Sequence, residues 1–161
     1  MDSARHGINQ LKKLPTVGGD EVKLYDGEIN KYFNMHEFAC KSDGSIIDNP
    51  HVRLFYEMLL EFRLWYNRPI GIESGFRTIK YNKMVGGSPQ SQHLKGVAAD
   101  IHFPTDEDMS FERKSQFLGN VKTKWYDICD KYGIKGGVGF YEWGFHLDAR
   151  VDKPRSFWDH R

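Results

Sequence analysis

Residues 74–103 read SGFRTIKYNKMVGGSPQSQHLKGVAADIHF, and this stretch decides the fold. It begins at a Ser74-Gly75 turn, just after the strand-like run Ile70–Glu73. Thr78–Val85 has helical character, and Gly86-Gly87-Ser88-Pro89 ends it in a loop. Val97–Phe103 then reads as a strand. Within it Asp100 and His102 are two residues apart, so an extended chain presents both on one face. His93 lies just before this strand, in the loop SQHLKG.

The flanks complete an α+β pattern. Upstream, Asp48-Asn49-Pro50 starts a long helix with a capping side chain followed by proline in the first turn. Val52, Phe55, Leu59, Phe62 and Tyr66 recur at spacings of three and four along it, and Asn67-Arg68-Pro69 ends it. Downstream, Phe111–Tyr132 is a second long helix with Leu118, Val121, Trp125 and Ile128 on one face and Gly133 as its C-terminal cap. Gly137–Tyr141 and Phe145–Arg150 then form a hairpin around Glu142-Trp143-Gly144. The order predicts a small antiparallel sheet with helices packed on it. Asn34 followed by Glu37 marks a short helix over Met35–Ala39, and Lys41–Asp48 reads as a loop. Residues 1–30 read as an irregular arm with a short strand at Val22–Tyr25.

Composition excludes several classes. A formal net charge of +1 supplies no field for nucleic acid or an anionic membrane. No apolar run is long enough for a membrane span or a signal peptide. The chain is therefore expected to be synthesised in the cytoplasm and to act as a monomer. Cys40 and Cys129 are far apart and form no metal-binding pair, so two buried thiols are expected. Aromatic residues make up 14% of the chain, enough to build a core and line a cleft.

The histidines carry the chemistry. His146 and Asp148 are two apart in GFHLDAR, as Asp100 and His102 are in AADIHF. Two such strands side by side bring imidazoles and carboxylates together. These are the ligand types of a catalytic zinc, which keeps three protein ligands and an open position. Spacing does not choose among His93, Asp100, His102, His146 and Asp148, and paired His–Asp hydrogen bonds without an ion satisfy the same pattern. His6, His36, His51 and His160 stand alone and read as ordinary histidines.

The combined motifs resemble the zinc D-alanyl-D-alanine carboxypeptidase family. That family carries a Ser-Gly-aromatic-Arg turn, here Ser74-Gly75-Phe76-Arg77. A Ser-x-His-x-x-Gly-x-Ala-x-Asp segment follows, here Ser91, His93, Gly96, Ala98 and Asp100. A late His-x-Asp closes the set, here His146 and Asp148. The segments KYFNMHEFAC (31–40) and GGVGFY (136–141) are also similar, and the likeness covers roughly residues 31–158. It implies a hedgehog/DD-peptidase-like catalytic domain over 31–161 and zinc held by His93, Asp100 and His146. Arg77 would hold the substrate carbonyl or carboxylate, with Ser91 and Tyr141 as further substrate contacts. Asp148 would orient a ligand from behind, and Gly96, Ala98 and Ala99 would leave room for tight packing near the metal. Some relatives place a glutamate three residues before the last ligand, others a histidine two before it. Here Trp143 and Gly144 stand there, so Glu142 is the expected general base.

The activity so implied is cleavage of peptidoglycan peptide stems or cross-links, as a D-Ala carboxypeptidase or an endopeptidase. It would be exerted at the bacterial cell wall after release, as by a phage or prophage lysin. The alternative is a zinc-stabilised binding or structural phage module of the same fold without catalysis.

Overall fold

The computed structural model describes residues 12–17, 20–24, 29–105 and 108–161, the first two segments as backbone only. Its centre is a five-stranded sheet. β4 (Ile72–Ser74), β5 (Ala98–His102), β6 (Gly137–Tyr141), β7 (Gly144–Asp148) and β8 (Ser156–Asp159) lie in the order β4-β5-β7-β6-β8. All neighbours are antiparallel except β6 and β8, which run parallel.

Alternation along the strands gives this sheet two unlike faces. Ala99, Ile101, Val138, Phe145 and Leu147 point one way and are buried. On that side lie α1 (Pro50–Tyr66) and α3 (Phe111–Tyr132). Phe62 of α1 packs on both Trp125 of α3 and Phe145 of β7, with ring centroids 6.1 Å apart in each case. Each such buried apolar side chain contributes about 1.5–3 kcal/mol, so this layer is the main source of stability. The opposite face carries Ser74, Asp100, His146, Gly139 and Trp158, which register aligns in one transverse row across all five strands.

Both long helices are capped at each end. Asn49 caps α1 by accepting from the Val52 N–H, and Asn67 closes it in the left-handed region at φ 56°. Ser110 caps α3 through the Arg113 N–H, and Gly133 ends it at φ 68°. The short α2 (Ile79–Met84) is capped by Thr78. Met35–Phe38 forms a single 3₁₀ turn, with the Glu37 carboxylate accepting from the Asn34 N–H at 2.7 Å.

Two expectations require correction. Residues 12–17 and 20–24 are not irregular: they form β1 (Lys12–Val17) and β2 (Asp20–Leu24), an antiparallel pair. The expected strand at Val22–Tyr25 overlaps β2, and Tyr25 lies outside the described residues. The Lys41–Asp48 loop ends in β3 (Ser45–Asp48), which pairs with β2 to make a separate three-stranded sheet. Gly96 leaves room for tight packing, since a Cβ there would overlap Ile47. β8 carries no sequence signal strong enough to be read, because its residues alternate between partial and full exposure at a sheet edge.

Candidate metal centre and cleft

His93, Asp100 and His146 converge. Their donor atoms all lie within 4.8 Å of one another, and His93 and His146 are buried. Asp100 and His146 are direct cross-strand partners on β5 and β7. His93 reaches them from a 3₁₀ turn, Gln92–Lys95, that precedes β5.

The two motif segments strap each other in place. The His93 Nδ1–H donates to the Gly75 carbonyl at 2.6 Å, and the Arg77 N–H donates to the His93 carbonyl at 3.0 Å. Ser91 accepts from the His93 N–H at 3.2 Å, so its hydroxyl positions that histidine while it lines the cleft. This reciprocal bonding is the physical reason that a Ser-Gly-Phe-Arg turn and a Ser-x-His segment occur together.

Each imidazole is anchored by its outer nitrogen. Gly75 O can only accept, so His93 Nδ1 carries the proton and Nε2 faces Asp100 Oδ1 at 3.2 Å. His146 donates from Nε2 to Asp148 Oδ2 at 2.8 Å and turns Nδ1 toward the same Asp100 Oδ1 at 2.9 Å. Two inward imidazole nitrogens and one carboxylate oxygen thus meet at a point. Burial lowers the His93 imidazole against the opposing pull of Asp100, which favours the neutral ring with its lone pair inward. His146 Nδ1 and Asp100 Oδ1 share a hydrogen bond at 2.9 Å, and a divalent ion in the place of that proton would be held by the same three donor atoms. The donor set, with each outer nitrogen already bonded to an acceptor, fits a small divalent ion.

A line of alternating charge runs through the site. Arg150 grips Asp148 with two hydrogen bonds, 2.9 and 2.6 Å. Asp148, with no exposure, holds His146, and His146 meets Asp100. Asp100 gives its other oxygen, Oδ2, to Arg77 Nη2 at 3.3 Å. Burial would raise both carboxyls, but the neighbouring His146 and His93 imidazoles for Asp100, and hydrogen bonds from Arg150 and His146 for Asp148, hold them well below the usual carboxylate range. Burial would lower His146, yet its bonds to Asp100 and Asp148 outweigh that and push it up to about 9. Arg77 is also fixed by Ser74 Oγ at 3.0 Å and Asn82 Oδ1 at 3.3 Å.

A cavity of about 430 Å³ opens over this cluster. Arg77, Ser91 and Tyr141 line it. Tyr141 stacks on Trp143, with centroids 4.7 Å apart, and its hydroxyl accepts from Trp158 Nε1 at 2.8 Å. Glu142 is not brought to the cavity. It is exposed on the β6–β7 turn and does not line the cleft, because the tight turn points it into solvent instead of over the site face. His102 is also drawn away: its ring lies over Gly71, where a Cβ would overlap it, and its Nδ1 contacts the Phe103 carbonyl at 2.9 Å. His51 contacts the Ala149 carbonyl at 2.6 Å, away from the cluster, and His6 lies outside the described residues.

Sequence reasoning missed Arg150, Gln92, Trp158 and His160, all of which line the cavity. Arg150 continues the period-two series His146, Asp148, Arg150, a signal that was present in the sequence. Trp158 and His160 depend on β8, which was not foreseen. The Gln92 side-chain oxygen is buried and lacks a hydrogen-bond partner among the described residues, while its amide donates to Asp152.

Comparison with protein families matches residues 31–131, well over half of the chain, to the family described as Peptidase M15. His93 and Asp100 lie inside the matched span, and His146 follows it. Among curated proteins the chain has no match.

Proposed function

The chain belongs to the peptidase M15 family, and from that membership we propose that it is a zinc peptidase that hydrolyses a peptide bond in the stems or cross-links of bacterial peptidoglycan. M15 peptidases are zinc-dependent, and His93, Asp100 and His146 are the residues that would hold the ion. The observation that carries the reading is the meeting of three donor atoms whose histidines are both anchored from behind.

When bound, zinc supplies Lewis-acid polarisation of a carbonyl and a more acidic water. The other roles fall to the chain's own side chains. Arg77 presents a guanidinium to the cavity, held rigid by Ser74, Asn82 and Asp100, so it is pre-aimed where negative charge develops on a carbonyl oxygen. The same cation suits a substrate carboxylate. Asp148 and Arg150 keep the His146 ring in one orientation and one tautomer.

A second reading, a zinc-holding module without catalysis, draws on one observation. Among the described residues Asp100 is the sole carboxylate lining the cavity, so no other described acidic side chain lies there to take a proton from water. Zinc analysis of the purified chain, followed by mass spectrometry of muropeptides after incubation with it, separates the two. New peptide termini support the peptidase and identify the bond. Full zinc occupancy with intact muropeptides supports the module.

A further inference from the structure

The described residues that line the cavity can be sorted by what each does with a proton. His93, Asp100 and His146 are the proposed ligands. Arg77, Arg150 and Lys153 bring cationic heads. The Tyr141 phenol is pushed up by burial and already accepts from Trp158. Of the lining side chains, His160 remains as the basic nitrogen that neither ligates nor carries fixed charge. Imidazole is also the side chain suited to exchange protons near neutral pH.

The fold brings His160 there through β8. Parallel pairing with β6 sets Trp158 beside Gly139 and Asp159 beside Phe140, and the His160 N–H donates to the Phe140 carbonyl at 2.9 Å. His160 therefore falls beside Tyr141, with ring centroids 5.3 Å apart and planes at 89°. Trp158 and His160 are two residues apart and so share a face, and Trp158 lies against His146 with centroids 4.9 Å apart. His160 thus stands on the site face, one step along from the row that holds the cluster, and its exposure allows proton exchange with solvent.

We propose that His160 is the proton-transfer group of this site, in the role for which the β6–β7 turn supplies no cavity-lining carboxylate. The inference rests on the peptidase reading above. As a water oxygen bonds to the scissile carbonyl carbon, one water proton passes to a His160 ring nitrogen and the carbonyl π pair moves to oxygen, facing Arg77. The oxygen pair then re-forms the double bond, the C–N bond breaks with its electrons on nitrogen, and that nitrogen takes the proton from His160. The products are a carboxylic acid and an amine, and His160 returns to its neutral form.

The test uses the zinc-loaded full chain as wild type, His160→Gln and His160→Ala, acting on soluble muropeptides released from purified peptidoglycan. Both variants should keep the wild-type zinc content and melting temperature. Each should lose about 10²–10⁴-fold in kcat, the usual contribution of a positioned acid–base group, with KM changed less than threefold. Added imidazole should restore part of the rate in His160→Ala. In the wild type, carbethoxylation of His160, followed by peptide mapping, should slow when muropeptide is bound, which reports its position without reference to turnover. Turnover within threefold of wild type in both variants, joint loss of zinc and turnover, or an unprotected His160 overturns this assignment alone. A wild type that holds zinc and cleaves nothing overturns the peptidase reading, and this inference with it.

Discussion

The indole of Trp158 lies against the imidazole of His146, with ring centroids 4.9 Å apart and planes at 50°, and it reaches there across a strand that offers no side chain in between. Gly139 is the register partner of both residues, and a Cβ at that position would overlap the indole. The glycine is thus required for close approach, and it couples β8 to the His93–Asp100–His146 cluster.

Gly139→Ala should therefore displace Trp158 and, with it, the wall of the cavity. Overpacking of this kind costs about 1–3 kcal/mol, so a melting temperature several degrees below wild type is expected. Thermal unfolding followed by tryptophan fluorescence checks this. An unchanged midpoint would mean that the indole moves aside without cost.

Removal of either buried imidazole, His93 or His146, should empty the candidate metal centre, whereas removal of His102 should not. His93→Ala and His146→Ala each leave two protein donors, while His102 lies over Gly71 outside the cluster. Zinc analysis after dialysis should find strong loss in the first two proteins and full retention in His102→Ala. The reverse pattern would reassign the ligand set.

Arg77 holds Asp100 through Oδ2, the oxygen turned away from the two imidazoles. Arg77→Ala is accordingly expected to retain zinc and to lose about 10²–10³-fold in turnover, the range seen when an oxyanion-stabilising donor is removed. Parallel measurement of zinc content and muropeptide cleavage decides it. Near-wild-type cleavage would make the arginine a purely structural brace.

Asp148 has no exposure and bonds both His146 and Arg150. Asp148→Asn keeps the shape but leaves the Arg150 charge without its carboxylate and weakens the constraint on the His146 ring. Zinc affinity should fall about 10–100-fold, as is usual for a group behind a metal-bound histidine. Competition with a chelator of known affinity measures the change, and an unaltered affinity would count against the orienting role.

Glu142, the carboxylate that sequence proximity favours as a base, is exposed and outside the cavity lining. Glu142→Gln should retain turnover within about threefold of wild type, since surface substitutions away from a site have small effects. A hundredfold loss on the same muropeptides would return the base to the hairpin turn and remove the need for His160.

Local patterns determined much of this protein. The capping residues Asn49 and Ser110, the apolar periodicity of both long helices and the alternation in AADIHF and GFHLDAR act over a few residues, and each produced the element its pattern implies. Spacing left His93, Asp100, His102, His146 and Asp148 as candidates, and the resemblance to a known family grouped His93, Asp100 and His146 with Arg77. Tertiary pairing decided the rest. Which oxygen of Asp100 meets the imidazoles, and that His102 turns over Gly71, follow from cross-strand register and from the space a missing side chain leaves. β3 forms by pairing with a strand more than twenty residues earlier, and β8 by lying parallel to β6, so neither has a local signal comparable to the central strands. The arrival of Trp158 and His160 at the cavity is a property of that last pairing, since no periodicity within residues 156–160 encodes which strand their backbone will bond.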